Sequence, residues 1–303
     1  MTERHDIYNT VTAQIIAAIE AGAGAWKMAW HHSGTPVMRP TSAAGRRYSG
    51  INRLVLWATA DARGYASGTW ATYQQWKQHG GQVRKGESGT HVILWKKIDK
   101  ADGDGGEVRA DGEGQGRARF FARGFVVFNR DQVEGVDGQE IKEVEPVTTE
   151  IAEALRFLES VGIPVEYGLY DAHYRADLDR VYLPNRSAFD SDLDLIGTFA
   201  HEVCHGVGHS SRLARETLRD YHKDRAIRAR EEILVELAAS FLMADLGLAY
   251  MPRPDHAAYC ASWLSLLKHD PKAIFTAAAG AQAAADWIHA HAGTATAPLA
   301  LAA

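Results

Sequence analysis

The chain has 303 residues, of which 33 are Lys or Arg and 38 are Asp or Glu, so its formal net charge is −5. A hydrophobic fraction of 46% and a charged fraction of 23% are typical of globular proteins and exclude a mainly disordered, collagen-like or coiled-coil chain. No stretch of the sequence approaches the roughly 20 consecutive apolar residues that a membrane-spanning helix needs, and the two cysteines are too few for a disulfide framework. We therefore expect a cytoplasmic protein with no membrane partner.

Charge and tryptophan are unevenly distributed along the chain. Residues 1–135 carry a net charge of +5 and the remaining residues −10, and six of the eight tryptophans lie in the first 95 residues. Such an asymmetry predicts two domains with different partners. We predict one domain over 1–135, a polar linker at 136–147, a second domain over 148–292 and a disordered tail at 293–303.

The spacing of apolar residues in the N-terminal half predicts a mixed α/β module. A segment rich in Gly and Asp, 99–116, is expected to form a flexible loop between two strands. Thr72 is the expected N-cap of the third helix. We predict helices over 5–21, 50–62 and 72–80, followed by strands over 90–97 and 118–128.

A basic and aromatic cluster lies between residues 36 and 97. It contains ten basic and two acidic residues, with seven aromatic residues interleaved. Cations neutralise phosphates, and flat rings give unpaired bases a stacking surface worth about 1–3 kcal/mol per base, so the cluster predicts binding of single-stranded DNA. Double-stranded DNA hides those base faces. The alternative for each tryptophan is a place in the core, because Trp is highly buried on average.

The segment that begins the C-terminal half predicts a helix followed by a small sheet. Thr148 is the expected N-cap of this helix and Gly162 its last residue. The last two strands of the sheet are expected to be joined by a hairpin turn at 177–179. We predict the helix over 148–162 and strands over 163–168, 173–176 and 180–183.

The strongest feature of the sequence is His201-Glu-x-x-His205 at the end of an apolar helical stripe. Residues four apart share one face of a helix, so both imidazoles can reach a single ion. Glu202 is offset by about a hundred degrees, where it leaves the histidines in place and can accept a proton from water at the metal. The motif predicts a zinc site, with a surface helix that carries two metal-free histidines as the alternative.

A catalytic zinc requires a third protein ligand and one open position. His209 follows Gly208 directly, which does not fit the metzincin spacing, and Cys204 lies on a shifted face where a small buried residue is more common. Glu232 and Glu236 lie four apart on a later apolar helix, and Glu-x-x-x-Glu resembles the gluzincin arrangement. We predict that Glu232 binds zinc and that Glu236 orients a ligating histidine. The alternatives are an exchange of these two roles and an exposed acidic face.

The small sheet before the metal helix is typical of zincins, in which the edge strand beside the cleft can bind an extended peptide. We predict the strand 180–183 in this role. Tyr170, Tyr174 and Tyr182 are the candidate oxyanion donors, with ordinary strand packing as the alternative for Tyr182.

Short motifs occur in a specific order over residues 5–250. They are Trp26-x3-Trp30, Tyr48-Ser-Gly-Ile-Asn52, Trp70-Ala-Thr-Tyr-Gln-Gln75, Val83-Arg-Lys-Gly-Glu-Ser-Gly89, Val127-Phe-Asn-Arg-Asp-Gln132, Ala200-His-Glu-x-x-His205, Gly208-His209-x2-Arg212-Leu213 and Glu231-Glu-Ile-Leu-Val-Glu236. In this order they resemble the ArdC-type antirestriction proteins and the amino-terminal region of plasmid TraC primases. The stretch Gly124-Phe-Val-Val127 departs from the shorter aromatic segment that the family usually has there.

The resemblance implies an α+β fold of two domains, a mixed α/β module that binds single-stranded DNA and a zincin-like metallopeptidase domain. It implies one zinc ion, or another divalent metal, carriage on mobile elements and protection of incoming DNA from host restriction. The partners are then single-stranded DNA and either a protein substrate or a host restriction component. We expect the DNA-binding residues to be Arg46, Arg47, Tyr48, Asn52, Trp70, Tyr73, Trp76, Arg84 and Lys85.

Two hypotheses of function remain. In the first, the chain protects DNA by binding it, and the metal domain has at most a structural part in protection. In the second, the chain is an active zinc protease that is directed to DNA and cleaves a nucleoprotein or a repressor, with Glu202 as the catalytic base.

Overall fold

The computed structural model describes residues 7–22, 39–97, 120–136, 151–168, 171–248 and 256–293. The segment 99–116, most of the linker and the tail beyond Gly293 lie outside these residues, as do Trp26, Trp30, Thr148 and Tyr170. None of the helices in the described segments is both long enough and apolar enough to cross a membrane.

The N-terminal half contains two long helices, one short helix and six strands within the described residues. The elements are α1 (Ile7–Gly22), β1 (Thr41–Ser42), α2 (Ile51–Arg63), β2 (Thr69–Ala71), α3 (Tyr73–Gln78), β3 (Gln82–Val83), β4 (Thr90–Lys97), β5 (Phe120–Asn129) and β6 (Val133–Glu134).

The C-terminal half is mainly helical, with a small sheet between its first two helices. The elements are α4 (Ile151–Glu159), β7 (Val165–Tyr167), β8 (His173–Arg175), β9 (Arg180–Leu183), α5 (Asp192–Val207), α6 (Glu216–Arg219), α7 (Arg225–Asp245), α8 (His256–His269) and α9 (Ala273–His291).

The N-terminal sheet has the strand order β1-β2-β5-β4 within the described residues. Its main unit is the predicted pair of long strands, since β4 and β5 are antiparallel with Thr90 opposite Val127 and Lys97 opposite Phe120. A separate short ribbon pairs β3 with β6, and Val83 and Val133 of this ribbon pack against the buried Trp76. The ribbon therefore buries apolar residues of the same segment, 36–97, that carries the basic and aromatic cluster.

Helix α3 begins where the sequence predicts, because Thr72 caps it. The Thr72 hydroxyl accepts the backbone N–H of Gln75 at 3.3 Å, and the Gln75 side chain accepts the backbone N–H of Thr72 at 2.9 Å. This reciprocal pair satisfies two donors that a helix start otherwise leaves without partners. It also fixes Tyr73 as the first residue of the helix, with its side chain exposed.

The C-terminal sheet corrects the prediction of its edge strand. Its order is β7-β9-β8, so β9 pairs with β7 in parallel and with β8 in antiparallel. The prediction that 180–183 forms the edge beside the cleft is wrong, because β7 occupies the second side of that strand through the pairing of Val165 with Val181. The edge strand on the cleft side is β8, joined to β9 by the predicted turn, in which Asp179 has a positive φ of 47°.

One hydrophobic core extends across both halves of the described chain. Val11 of α1 and Leu54 of α2 are buried in the same cluster as Phe199 of α5 and Phe241 of α7. Burial of this apolar surface stabilises the fold by about 25 cal/mol per Å². Helix α7, which carries Glu232, is in direct contact with the N-terminal helix α2, since the rings of Trp57 and Phe241 lie edge-on with centroids 5.8 Å apart.

Candidate metal centre and nucleic-acid surface

Helix α5 holds the His-Glu-x-x-His motif rigidly inside the fold. Its first turn is capped by Ser191, whose hydroxyl accepts the backbone N–H of Asp194 at 3.2 Å. The apolar stripe of α5 is buried in the core, and the motif residues themselves are almost fully buried, with His201 and Glu202 at 3% exposure and His205 at 7%. The rotation of the helix, and with it the direction of both imidazoles, is therefore set by core packing.

Glu232 of α7 faces both histidines. Its two carboxylate oxygens lie 3.4 Å from His201 Nε2 and 3.6 Å from His205 Nε2. One ligand atom from each of these three residues lies within 4.8 Å of the other two, and all three side chains are buried. The structure thus brings together the three residues that the sequence predicts as metal ligands.

A second carboxylate stands behind each imidazole. Glu236 lies 3.3 Å from His201 Nδ1, and Glu231 lies 3.3 Å from His205 Nδ1. A carboxylate on the far ring nitrogen fixes the orientation and tautomer of a metal-binding histidine and makes it a stronger ligand. Glu236 is placed as its predicted role requires, whereas the sequence analysis missed Glu231.

Glu231 is itself held by two side chains from the segment that follows α5. Arg215 donates to it at 2.5 and 3.1 Å, and the Thr217 hydroxyl donates at 2.5 Å. Gly208 makes room for this arginine, because a Cβ there would lie 2.5 Å from the guanidinium. The only sequence feature that pointed to Glu231 was its position next to the predicted ligand Glu232, and adjacent acids are also common on exposed helix faces.

The charges around the site keep the carboxylates of Glu231 and Glu232 ionised. Burial alone raises the pKa of Glu231, but the hydrogen bond from His205 and the charge of Arg215 lower it to about 2. Burial also raises the pKa of Glu232, and the hydrogen bond from His201 with the charges of the two histidines lowers it to about 2. Both groups are thus negative at neutral pH, the form in which a carboxylate binds a cation.

The donor set fits a single divalent cation. Two imidazole nitrogens and one carboxylate oxygen are the protein ligands of many catalytic zinc sites, which leave a further position for water or substrate. The residues face a cleft of about 970 Å³ that is also lined by Glu202 and by β8. We therefore expect the open position to face this cleft.

The cleft contains a tyrosine that the sequence analysis did not select. The Tyr221 hydroxyl donates a hydrogen bond to Glu232, and its ring stands edge-on to His205 with centroids 6.0 Å apart. By contrast, the Tyr174 hydroxyl donates to Asp179 at 2.7 Å, and Tyr182 is only 8% exposed. Of the tyrosines within the described residues, Tyr221 is thus the one placed to act beside the metal ligands.

The two rejected ligands are engaged elsewhere. Cys204 is fully buried in the hydrophobic core, where burial raises the pKa of its thiol. His209 Nδ1 bonds to the Ser211 hydroxyl at 2.8 Å and lies 3.7 Å from Asp179. Neither residue belongs to the group of three possible metal ligands found among the described residues.

The predicted DNA-binding cations are exposed, and one of them is already paired. Arg46, Arg47 and Lys85 are exposed on the N-terminal half. The Arg84 guanidinium donates to Glu87 at 2.8 Å and to the carbonyl of Asp131 at 2.6 Å. An arginine held in this way keeps its charge, but its net attraction for phosphate is reduced by the neighbouring carboxylate.

Three of the predicted contacts are corrected by burial or by hydrogen bonding. Trp70 is 1% exposed, and Trp76 is fully buried with its indole N–H donated to the carbonyl of Phe128 at 2.9 Å. The Asn52 amide bonds both the N–H and the carbonyl of Ile93, at 2.8 and 2.7 Å, and so fastens α2 to β4. All three side chains have structural roles, and the two buried tryptophans offer no surface to a base. Tyr48 is half-buried, and burial raises its pKa to about 12, whereas Tyr73 is 41% exposed.

Comparison with known proteins identifies both halves. Residues 5–128 match the family model of the N-terminal domain of the anti-restriction factor ArdC, and residues 152–280 match that of a zincin-like metallopeptidase. Over 95% of its length the chain superposes on 98% of the crystal structure of the antirestriction protein ArdC from plasmid R388, with a TM-score of 0.77 and 35% sequence identity. The chain belongs to the ArdC family. A Mn(II)-bound structure of the R388 protein matches equally well.

Two curated relatives of this ArdC-family chain illustrate its range. The uncharacterised protein y4eC of Sinorhizobium fredii is 44% identical over 94% of this chain and 92% of its own length. A DNA primase TraC of Escherichia coli is 34% identical over 93% of this chain, which spans only 27% of the primase. The predicted α+β fold with an ArdC N-terminal domain and a zincin-like domain is confirmed, and the zincin-like domain implies a divalent metal.

The separate roles of Glu232 as a metal ligand and of Glu236 as the carboxylate behind His201 can be tested by measuring metal affinity. We expect Glu236→Gln to weaken metal binding about 10- to 100-fold, because it removes the carboxylate behind His201 and leaves all three ligands in place. Glu232→Gln should weaken binding further, because it removes a ligand. Competition with a chromogenic chelator measures both, with the exposed Glu166→Gln as the matched control. A larger loss for Glu236→Gln than for Glu232→Gln would mean that the two roles are exchanged.

Proposed function

We propose that the chain is an antirestriction protein that binds single-stranded DNA through its N-terminal domain and holds one zinc ion with His201, His205 and Glu232. The observation that supports it most is the combination in one chain of an exposed cationic surface with a buried His2Glu site. The family membership supports the same function, because the match to the antirestriction protein of plasmid R388 covers almost the whole length of that protein. The related segment of the TraC primase supports an interaction with DNA.

The DNA-binding half of this proposal predicts a salt-dependent affinity. Replacing Arg46, Arg47, Arg84 and Lys85 together by alanine should weaken binding of a single-stranded oligonucleotide and flatten its salt dependence. Each lost phosphate contact on a single strand lowers the slope of log K against log salt by about 0.7, so the slope should fall by about 3 if all four make contact. Fluorescence anisotropy at several salt concentrations measures this.

A matched control removes four exposed cations from the other half. The side chains of four cations of the C-terminal half are between 43% and 69% exposed, and their replacement by alanine changes the net charge by the same amount. They are Arg180, Arg186, Lys223 and Lys268. This control should retain most of the affinity and the original slope. Equal losses in the two variants would indicate a general charge effect and would overturn the proposed surface, and so would tight binding that does not respond to salt.

A second candidate function, a zinc protease directed to DNA, is favoured by the cleft. It is large enough for a peptide, and the edge strand β8 lies along it beside Glu202 and the three ligands. A divalent ion in the site would supply Lewis acidity toward water and a carbonyl oxygen. Glu202 would take a proton from water at its carboxylate and deliver it to the leaving amide nitrogen. The Tyr221 hydroxyl would have to turn from Glu232, to which it donates its one proton, in order to donate a hydrogen bond to the developing oxyanion. Strand β8 would align the substrate by strand pairing.

A further inference from the structure

A second cavity of about 500 Å³ lies in the N-terminal half. It is separate from the metal cleft and shares no lining residue with it. Its size falls within the range of about 300–1,000 Å³ that is usual for small-molecule sites. The lining residues are Tyr73, Gln82, Val83, Arg84, Lys85, Glu87, Phe128 and Glu134.

The wall formed by the β3–β6 ribbon is polar on one face and apolar on the other. Gln82 and Glu134 stand directly opposite each other, and both are exposed, whereas their neighbours Val83 and Val133 are buried beneath them. Directly opposite residues of an antiparallel pair lie about 5 Å apart on one face. The Gln82 amide N–H groups are donated to the Tyr73 hydroxyl at 2.9 Å and to the Val83 carbonyl at 3.0 Å. The Gln82 side-chain oxygen and the Glu134 carboxylate therefore present acceptors side by side, where the N–H groups of a nucleobase edge can donate.

Tyr73 supplies a fixed aromatic surface beside this polar pair. Its position at the start of α3 is set by the Thr72 cap, and its hydroxyl accepts the Gln82 side-chain N–H at 2.9 Å. Although the phenol is held in place, the side chain remains 41% exposed. A ring that is held in place and still accessible can stack on a planar ligand at little cost in side-chain entropy.

The charges around the cavity favour a nucleotide strand over an isolated anion. Glu87 accepts from the Arg84 guanidinium at 2.8 Å and from the Gln132 side-chain N–H at 2.9 Å, so the charges of Arg84 and Glu87 largely neutralise each other. Within the part of the chain that the structure describes, Lys85 makes no ion pair, and it is exposed. Lys85 and Glu134 also line the cavity, so its four charged side chains sum to zero. A phosphate can therefore be held at Lys85 while the cavity as a whole stays close to neutral.

We propose that this cavity receives one unpaired base of single-stranded DNA, stacked on Tyr73, with the adjoining phosphate at Lys85. The inference rests on the proposed binding of single-stranded DNA and adds to it a subsite for a base. A base within a duplex is stacked and paired, so it cannot enter without leaving the helix. The subsite thus gives a physical reason for a preference for single strands that the cationic surface alone would not provide.

The test uses the full-length chain and a labelled oligothymidylate. Tyr73→Leu should raise the Kd about 5- to 150-fold, the equivalent of about 1–3 kcal/mol for one stacked base, without changing the salt slope. Tyr73→Phe keeps the ring and should bind almost as the wild type does. A single abasic site moved along the oligonucleotide should weaken binding to the wild type at one register and have little effect on Tyr73→Leu.

The matched control is Tyr167→Leu, which removes a tyrosine of similar exposure, 44%, from β7 in the other domain. It should leave the affinity unchanged. If Tyr73→Leu and the abasic series have no effect while the four-cation variant loses affinity, the base subsite is overturned and the DNA-binding proposal stands. If the wild-type chain fails to bind single strands at all, the proposed function fails first. The abasic series on the wild type also decides the matter if Tyr73→Leu does not fold.

Discussion

Replacing Glu202 with glutamine is expected to abolish any peptide-bond hydrolysis by the chain while metal binding and folding are retained. Glutamine has the same shape and cannot accept a proton, so the loss should be about 10²- to 10⁴-fold, the usual contribution of a general base. Glu202 is 3% exposed and is not one of the three predicted ligands, so an isosteric change should preserve packing and the donor set. Metal analysis, thermal unfolding and hydrolysis of a casein-type substrate measure the three properties separately.

The same variant decides between the two functions when it is tested for protection of incoming DNA in cells. If protection survives Glu202→Gln and is lost on replacement of Arg84 and Lys85 by alanine, DNA binding carries the phenotype. If protection is lost although the variant still binds metal and single strands, the protease hypothesis is supported. Glu216→Gln, at an exposed glutamate near the cleft, is the control for the loss of one negative charge. Loss of metal by Glu202→Gln would contradict its predicted role, because it would make Glu202 a ligand.

The core of the metal site could be predicted because it is encoded locally. A spacing of four residues places His201 and His205 on one face of α5, and the same spacing places Glu232 and Glu236 on one face of α7. Apolar residues around both pairs indicate which faces are buried. Helices α1 to α5, helix α7 and the two long strands follow from the same periodicities, whereas α6, α8 and α9 were not predicted. Thr72 was recognisable as a cap from its own type and position.

The remaining features depend on contacts between distant segments. The partnership of Arg215 with Glu231 requires that the chain after α5 fold back on α7, which no local pattern indicates. The identity of the edge strand depends on β7 pairing in parallel with β9, although β8 lies between them in the sequence. Trp70 and Trp76 have the composition of a stacking surface, and only tertiary packing decides that they are core residues and that Tyr73 is accessible.

A buried charge cluster joins the two halves of the molecule. Asp245, at the end of α7, accepts from the fully buried Arg53 of α2 at 2.8 Å and lies 2.6 Å from Arg39 and 3.0 Å from His289. The Arg53 guanidinium also lies 4.5 Å from the ring centroid of Phe241 and donates to the carbonyl of that residue. Burial lowers the pKa of Arg53 to about 10, so it is still charged at neutral pH.

We expect Asp245→Ala to lower the free energy of unfolding by about 3–5 kcal/mol, because it leaves the Arg53 charge buried without its counter-ion. The matched control is Glu166→Ala, which breaks the exposed pair with Arg180 at 2.7 Å and should cost less than about 1 kcal/mol. Urea unfolding of the metal-free protein measures both. A loss for Asp245→Ala no larger than that of the control would contradict the assignment.

The effect of Asp245 should also depend on pH in one direction. Burial alone raises the pKa of this carboxyl, but the charge of Arg53 and the hydrogen bond from His289 outweigh it, so its pKa in the folded state lies below the unfolded value of about 3.9. The stabilisation is therefore fully present above about pH 4 and is lost as the pH falls through the folded-state pKa. The wild type and Asp245→Ala should converge in stability on acidification. Helices α1 and α2 share the core of α5 and α7, so both halves should unfold in a single transition. Two separate transitions, neither of them shifted by Asp245→Ala, would show that the Arg53–Asp245 contact between the halves contributes nothing to stability.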